Sequence, residues 1–192
     1  MPTSTIEIAG VVFGLACVAL TARQSVWCWP AGILNALCFA VMIVGARLYA
    51  DVAMQGVYFV LSIYGWYSWS RPKAELAVTR FPPQSWWVSA AVFATGTALI
   101  GLVLSRTDAA LPWANAGTAA ASLIAQWMMT RKVLESWIVW IVADVVMIGV
   151  YLHQSLYFTS GLYVVFIGLC IAGFIGWKKS MSPAVAIAPA TA

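Results

Sequence analysis

The chain has 192 residues, of which 63% are hydrophobic and only 8% are charged, with a formal net charge of +4. A soluble domain usually carries about 25% charged residues, so this composition excludes a water-soluble globule and predicts a protein embedded in the lipid bilayer. The sequence contains no Walker-type G-x-x-x-x-G-K-[ST] run, so its own ATP hydrolysis does not drive any transport. Its basic residues are scattered between apolar stretches, which indicates a membrane surface and no nucleic acid partner.

Proline, glycine and charged residues divide the chain into seven apolar stretches, and a transmembrane helix requires roughly 20 mainly apolar residues. The spans are predicted near Ile6 to Leu20, Trp27 to Ala46, Asp51 to Trp69, Trp86 to Leu104, Pro112 to Thr130, Ser136 to Leu152 and Phe158 to Trp177. The segment from Arg71 to Gln84 is interpreted as a linker because of its prolines. Residues 1–180 are expected to form a single transmembrane domain, and residues 181–192 a disordered tail of low complexity.

The basic residues predict the orientation, because short loops rich in Lys and Arg stay in the cytoplasm. One side of the membrane has only Arg47 and Arg106, whereas the other collects Arg23, Arg71, Lys73, Arg80, Arg131, Lys132, Lys178 and Lys179. We therefore expect the N-terminus outside and the C-terminus in the cytoplasm.

An internal repeat emerges when the sequence is shifted against itself by 108 residues. The informative matches are Arg23 with Arg131, Trp29 with Trp137, Leu48-Tyr49 with Leu156-Tyr157, Gly65 with Gly173 and Trp69 with Trp177. They fall at equivalent places in spans one to three and five to seven. The prediction is an all-α 3+1+3 bundle, with repeat 1 at about 5–69, a linking helix at about 86–104 and repeat 2 at about 112–177. In transporters built from such parallel repeats, the binding site lies at the repeat interface near the midplane.

Asp144 is the foremost candidate binding residue, because it lies near the middle of the sixth span and a carboxylate there is costly. On a helix it shares one face with Trp137 and Trp140, which precede it by seven and four positions. Indole rings beside a carboxylate suit a flat organic cation, through stacking, attraction to the ring face and counter-charge. The alternative interpretation is a structural aspartate that is hydrogen-bonded between helices.

Further polar and aromatic side chains are candidates for the same site. Asn35 in the second span and Gln55 and Tyr58 in the third could hydrogen-bond the hydroxyl or amide groups of a ligand, and Gln126, Tyr151 and Tyr163 are weaker candidates of the same kind. Trp29, Trp66 and Trp69 are assigned to gating or to the aromatic belt at the membrane interface. Asp51 begins the third span, where a helix-capping role is favoured.

Several chemistries are excluded by counting residues. A retinal protein needs a lysine inside its last span, and the predicted last span of this chain has none. The chain has one histidine, which cannot ligate haem from both sides. The four cysteines show no CxxC spacing, and no intramembrane hydrolase motif is present. We therefore predict no enzyme activity, no catalytic residues, no cofactor and no metal site.

The motifs Trp29-Pro30-x-Gly32-Ile33-x-Asn35, Leu48-Tyr49-Ala50-Asp51-x-x-x-Gln55-x-x-Tyr58, Tyr64-Gly65-Trp66-x-x-Trp69 and Glu135-x-Trp137-x-x-Trp140 occur in order along the chain. In this combination the sequence resembles the PnuC family of bacterial vitamin transporters, over nearly its whole length. The resemblance implies a fold related to the SWEET sugar carriers. It also implies a central site lined by the Trp137/Trp140 pair and the third span, with Asp144 where some relatives have an amide.

The resemblance further implies facilitated diffusion of a B-vitamin precursor across the inner membrane, most often nicotinamide riboside. Transport is then driven by a cytoplasmic kinase that phosphorylates the arriving substrate, without required contact between the two proteins. Thiamine is an alternative flat cation, whereas riboflavin is neutral, larger and less suited. A homotrimer is also implied. A hypothesis of a different class is a non-transporting membrane subunit, whose polar residues only hold helices together.

Overall fold

A computed structural model describes residues 5–45, 49–71, 76–107 and 111–181, with side chains throughout except at 42–45 and 49–53. Arg47, Leu48 and Lys73, the side chain of Asp51 and nearly all of the expected tail, from residue 182 onward, lie outside this description.

The described part of the chain contains seven helices and one isolated β-bridge, between Thr79 and Val133. The helices are α1 (Thr5–Ala22), α2 (Cys28–Gly45), α3 (Tyr49–Trp69), α4 (Ser85–Leu104), α5 (Pro112–Thr130), α6 (Ser136–His153) and α7 (Tyr157–Ser180). The all-helical prediction is confirmed. Both ends of each predicted span lie within three residues of the corresponding helix ends.

Four of the described helices, α1, α4, α6 and α7, are long and apolar enough to cross a membrane. Helices α3 and α5 have similar lengths but mix apolar residues with polar ones such as Gln55, Asn115 and Gln126.

The chain divides into two compact units, Met1–Ala77 and Val78–Ala192. In the first unit α2 packs against both α1 and α3. In the second unit the packing follows chain order, with α4 on α5, α5 on α6 and α6 on α7.

The α1–α2 turn and the α5–α6 turn share most of their backbone hydrogen bonds, 108 residues apart. Gln24 and Lys132 both adopt the left-handed conformation, with φ of 54° and 52°. In the first turn the Ser25 N–H donates to the Leu20 carbonyl at 2.9 Å, and in the second the Val133 N–H donates to the Met128 carbonyl at 3.1 Å. This 6→1 bond is typical of the Schellman motif that ends many helices. The matched turns support the proposed repeat.

Residues 78–81, in the second half of the predicted linker, pair with the α5–α6 turn. We call residues 78–81 the strap. The Thr79 N–H donates to the Lys132 carbonyl at 3.1 Å, and the Thr79 carbonyl accepts from the Leu134 N–H at 2.9 Å. The side chain of Phe81 packs with Met128 and Val133 in a buried cluster. The strap therefore belongs to the packed core of the second unit.

Candidate functional site

Asp144 lies on α6 with only 6% of its surface exposed. Among the residues that the structure describes, its carboxylate has no hydrogen-bond or ion-pair partner, although it lies close enough to Cys170 of α7 for an electrostatic interaction. A structural aspartate between helices would be expected to accept hydrogen bonds, because an unpaired buried charge is expensive. The described residues therefore leave the Asp144 carboxylate without a hydrogen-bond donor.

The two tryptophans that precede Asp144 differ in their surroundings. Trp137 is 1% exposed, and its ring meets that of Trp177 edge to face, with centroids 5.3 Å apart at 85°. A Cβ added at Gly173 would come within 2.6 Å of the Trp137 ring, so the indole lies directly on the α7 backbone. Trp140 is half-buried. The structure thus gives Trp137 a packing role against α7 and leaves Trp140 partly exposed.

The first unit contains the same arrangement of two tryptophans and a glycine. Trp29 and Trp69 pack edge to face, with centroids 5.3 Å apart at 88°, and both are buried. A Cβ at Gly65 would overlap the Trp29 ring. The indole N–H groups of Trp29 and Trp137 are both buried without an acceptor among the described residues. Trp29 and Trp69, predicted at the interface or a gate, therefore lie in the packed interior of their unit.

Trp66 has a different environment from Trp29 and Trp69. It is 42% exposed and lies, together with Ile63, Tyr67 and Ser70 of the same helix, along a shallow depression that is open to the surface. Of the three tryptophans assigned to gating or the interface, Trp66 is the most exposed.

The amide of Asn35 is engaged inside the first unit. Its Nδ2 donates to the Gly10 carbonyl at 2.7 Å, which ties α2 to α1. The Asn35 amide oxygen accepts no hydrogen bond from another described residue, so it is the atom of this side chain best suited to a ligand. Gln55 and Tyr58 lie half-buried on α3, one turn apart.

The weaker candidates of the second unit fall into two groups. Gln126 is half-buried on α5. Tyr151 of α6 and Tyr163 of α7 lie together, with ring centroids 5.2 Å apart, and Phe166 follows at 5.8 Å from Tyr163. The pairing of α6 with α7 creates this aromatic cluster, which the separate sequence positions of its members did not reveal.

The described part of the chain is helical and contains four spans long and apolar enough to cross a membrane, which are features of an integral membrane protein. The family model described as "Nicotinamide mononucleotide transporter" matches residues 4–179. The chain therefore belongs to this family of membrane transporters, which confirms the resemblance found in the sequence, and it is a transport protein rather than an enzyme.

This chain matches relatives that are named as transporters, and each match covers most of the relative's length. The nicotinamide riboside transporter PnuC of Escherichia coli is 27% identical over 92% of this chain and 86% of the relative. The riboflavin/roseoflavin transporter RibM of Streptomyces davaonensis is 25% identical, covering 96% and 91%. A crystal structure of the vitamin B3 transporter PnuC has the same fold, with a TM-score of 0.73 at 22% identity over 93% of this chain and 82% of that one.

Proposed function

We propose that this protein carries nicotinamide riboside across the bacterial inner membrane, with its N-terminus outside and its C-terminus in the cytoplasm. Membership of the family supports the transport activity. The relatives from Escherichia coli and Neisseria mucosa are both named as nicotinamide riboside transporters, at 27% and 23% identity, which supports this choice of vitamin.

The observation that carries the proposal is Asp144, a largely buried acid to which no described residue donates a hydrogen bond, one helical turn after Trp140. Nicotinamide riboside is a flat pyridinium cation that bears a hydroxylated sugar. Its ring can stack on the Trp140 indole, where a cation is attracted to the ring face. Its positive charge gives Asp144 the partner that the described protein residues do not supply. An acid at this depth is functional by default because of its cost.

The ribose hydroxyls require hydrogen bonds from polar side chains. We assign the Asn35 amide oxygen, Gln55 and Tyr58 to these hydrogen bonds, because they offer both acceptors and donors. Trp137 contributes by packing on Gly173 and Trp177 of α7 as well as through any direct contact with the ligand.

Transport in this proposal is facilitated diffusion, and a cytoplasmic kinase that phosphorylates the substrate prevents its return. The absence of a Walker-type run from the sequence supports this energetic scheme. Purified protein in liposomes should equilibrate labelled nicotinamide riboside without accumulating it. Accumulation that requires a proton or sodium gradient would contradict facilitated diffusion, and no flux at all would favour a non-transporting subunit. The homotrimer implied by the resemblance belongs to the same proposal, and light scattering of the purified protein measures it.

Calorimetry with two forms of the same vitamin tests the proposed role of Asp144. Reduced nicotinamide riboside has nearly the same shape as the oxidised form but carries no positive charge. We expect the parent protein to bind the cation at least tenfold more tightly, since a charge-assisted contact is worth about 1.5–3 kcal/mol. The Asp144→Asn variant, which keeps the side-chain shape, should lose most of this preference. A variant that keeps the full preference would refute the cation site.

Riboflavin is a second candidate, because the riboflavin/roseoflavin transporter RibM matches this chain over 96% of its length. Its ring system could stack on Trp140, but it is neutral and leaves Asp144 without a counter-charge. Thiamine is a cation and meets the same charge requirement as nicotinamide riboside. Titration of all three vitamins under identical conditions separates these substrates, and tightest binding of riboflavin would overturn the choice of a cationic vitamin.

A further inference from the structure

Four exposed basic side chains gather at one end of the second unit, and we call this surface the basic end: Arg80, Arg131, Lys178 and Lys179. The strap brings Arg80 to the α5–α6 turn, where Arg131 lies. Lys178 and Lys179 follow Trp177, whose ring contacts Trp137 in the first turn of α6. Segments from three parts of the sequence therefore place their positive charges at the same end.

The charge of this surface is poorly neutralised by the protein. Between residues 78 and 181 the structure describes two acids, and one of them, Asp144, lies within α6. The other, Glu135, accepts from the Phe81 N–H at 2.8 Å and lies 4.0 Å from Arg80. Arg131 and the two lysines have no described acid to pair with.

Arg131 has an aromatic partner that its repeat counterpart lacks. Its guanidinium lies over the Trp127 ring, 4.7 Å from the centroid. The equivalent positions in the first unit are Arg23 and Ala19, so Arg23 has no indole at this spacing. Stacking on the indole orients the planar guanidinium and leaves its N–H edge free to donate, the geometry that suits bidentate binding of a phosphate.

Tryptophans near the strap add apolar surface at the same end. Trp86 packs edge to face on Phe81 of the strap at 5.0 Å, and the next residue, Trp87, is 82% exposed. Tryptophan rings favour the headgroup level of a bilayer. A phospholipid can contact the cations with its phosphate and the tryptophan rings with its apolar part, whereas inorganic phosphate can contact only the cations.

We propose that the basic end binds the headgroup of an anionic phospholipid, with Arg131 on the phosphate and the two lysines beside it. This inference concerns the surrounding lipid and is independent of which vitamin is transported. Each basic residue near an anionic leaflet contributes roughly a fivefold gain in binding. Loss of Arg131 alone should therefore weaken binding about fivefold, and loss of Lys178 and Lys179 together by about twentyfold or more.

Native mass spectrometry of the full chain in detergent, titrated with phosphatidylglycerol, measures this binding. The test variants are Arg131→Gln and the double variant Lys178→Gln/Lys179→Gln. The matched controls are Arg23→Gln, which removes the repeat-equivalent charge without an indole stack, and Arg106→Gln, which removes a charge from the α4–α5 connection. Thermal unfolding without added lipid shows that all variants are folded.

Selective loss of phosphatidylglycerol in the test variants, with both controls unchanged, is the expected result. An equal loss in Arg23→Gln would show a non-specific effect of charge and would overturn a site at Arg131. Unchanged binding in all variants would overturn it as well. In a competition arm, inorganic phosphate should displace the lipid only weakly, and complete displacement at millimolar phosphate would identify a soluble anion site instead.

Discussion

Gly65 and Gly173 allow a large aromatic ring to lie directly on a helix backbone in each unit. The rings of Trp29 and Trp137 occupy the space where a side chain would otherwise stand, and both are at least 97% buried. Each ring is also held by a second tryptophan. A buried indole in this position cannot move aside without disturbing its whole cluster.

At these two positions we predict that Gly65→Ala and Gly173→Ala each destabilise the protein by about 1–3 kcal/mol, through overpacking against the indole. Gly56 on α3 and Gly168 on α7 are matched controls, because a Cβ there meets no atom within 4 Å. Alanine at the control positions should be neutral or slightly stabilising, since it favours helix. Thermal unfolding in detergent measures all four variants, and equal melting temperatures would contradict the packing described.

The strap is the element that distinguishes the α5–α6 turn from the α1–α2 turn. Glu135 caps the strap by accepting the Phe81 N–H, whereas the equivalent residue in the first unit is Trp27, which is 67% exposed. The strap thus ties the segment before α4 to the base of α6, the helix that carries Trp140 and Asp144. We expect these parts of the second unit to move together.

A disulfide between Thr79→Cys and Val133→Cys tests whether the strap stays closed. These residues are partners in a β-bridge, and strands in such pairs lie about 4.8 Å apart, within the range that a disulfide spans. Liposome uptake of the vitamin should be the same in oxidised and reduced protein. Uptake that stops on oxidation and returns with dithiothreitol would show that the strap opens during transport. Each single cysteine variant, treated identically, controls for oxidation elsewhere.

For the whole molecule, the excess of positive charge is unevenly distributed along the chain. The net charge is +4, and most Lys and Arg residues lie in the segments that follow α1, α3 and α5 or in the last turn of α7. Because such segments stay on the cytoplasmic side, the proposed orientation depends on the summed charge of several short segments rather than on one residue.

Reporter fusions test this orientation. Green fluorescent protein fused after Lys179 should fluoresce, and alkaline phosphatase at the same point should be inactive, because the positive-inside rule places this end in the cytoplasm. Alkaline phosphatase fused after Gln154, in the α6–α7 connection, is the control and should be active. The opposite pattern of activities would reverse the proposed topology.

The sequence was sufficient to predict the helices, and it singled out Asp144 as the foremost candidate binding residue. Helix ends depend on nearby prolines, glycines and charges, so all seven helices were located to within three residues. Asp144 was found because an acid inside an apolar span is costly wherever the span packs. Membership of a transporter family followed from motifs spread along the chain.

Only the tertiary structure decided which side chains pack and which remain available. Trp137 and Trp140 are equally plausible ligand contacts in the sequence, but Gly173 and Trp177 of the next helix bury Trp137, whereas Trp140 stays partly exposed. Similarly, Phe81 and Glu135 are 54 residues apart, and nothing local to either predicts their hydrogen bond. Composition and periodicity are local properties of the sequence, and they predict that the chain lies in a membrane and where its helices are. The contacts described here depend instead on how helices that are distant in sequence pack together.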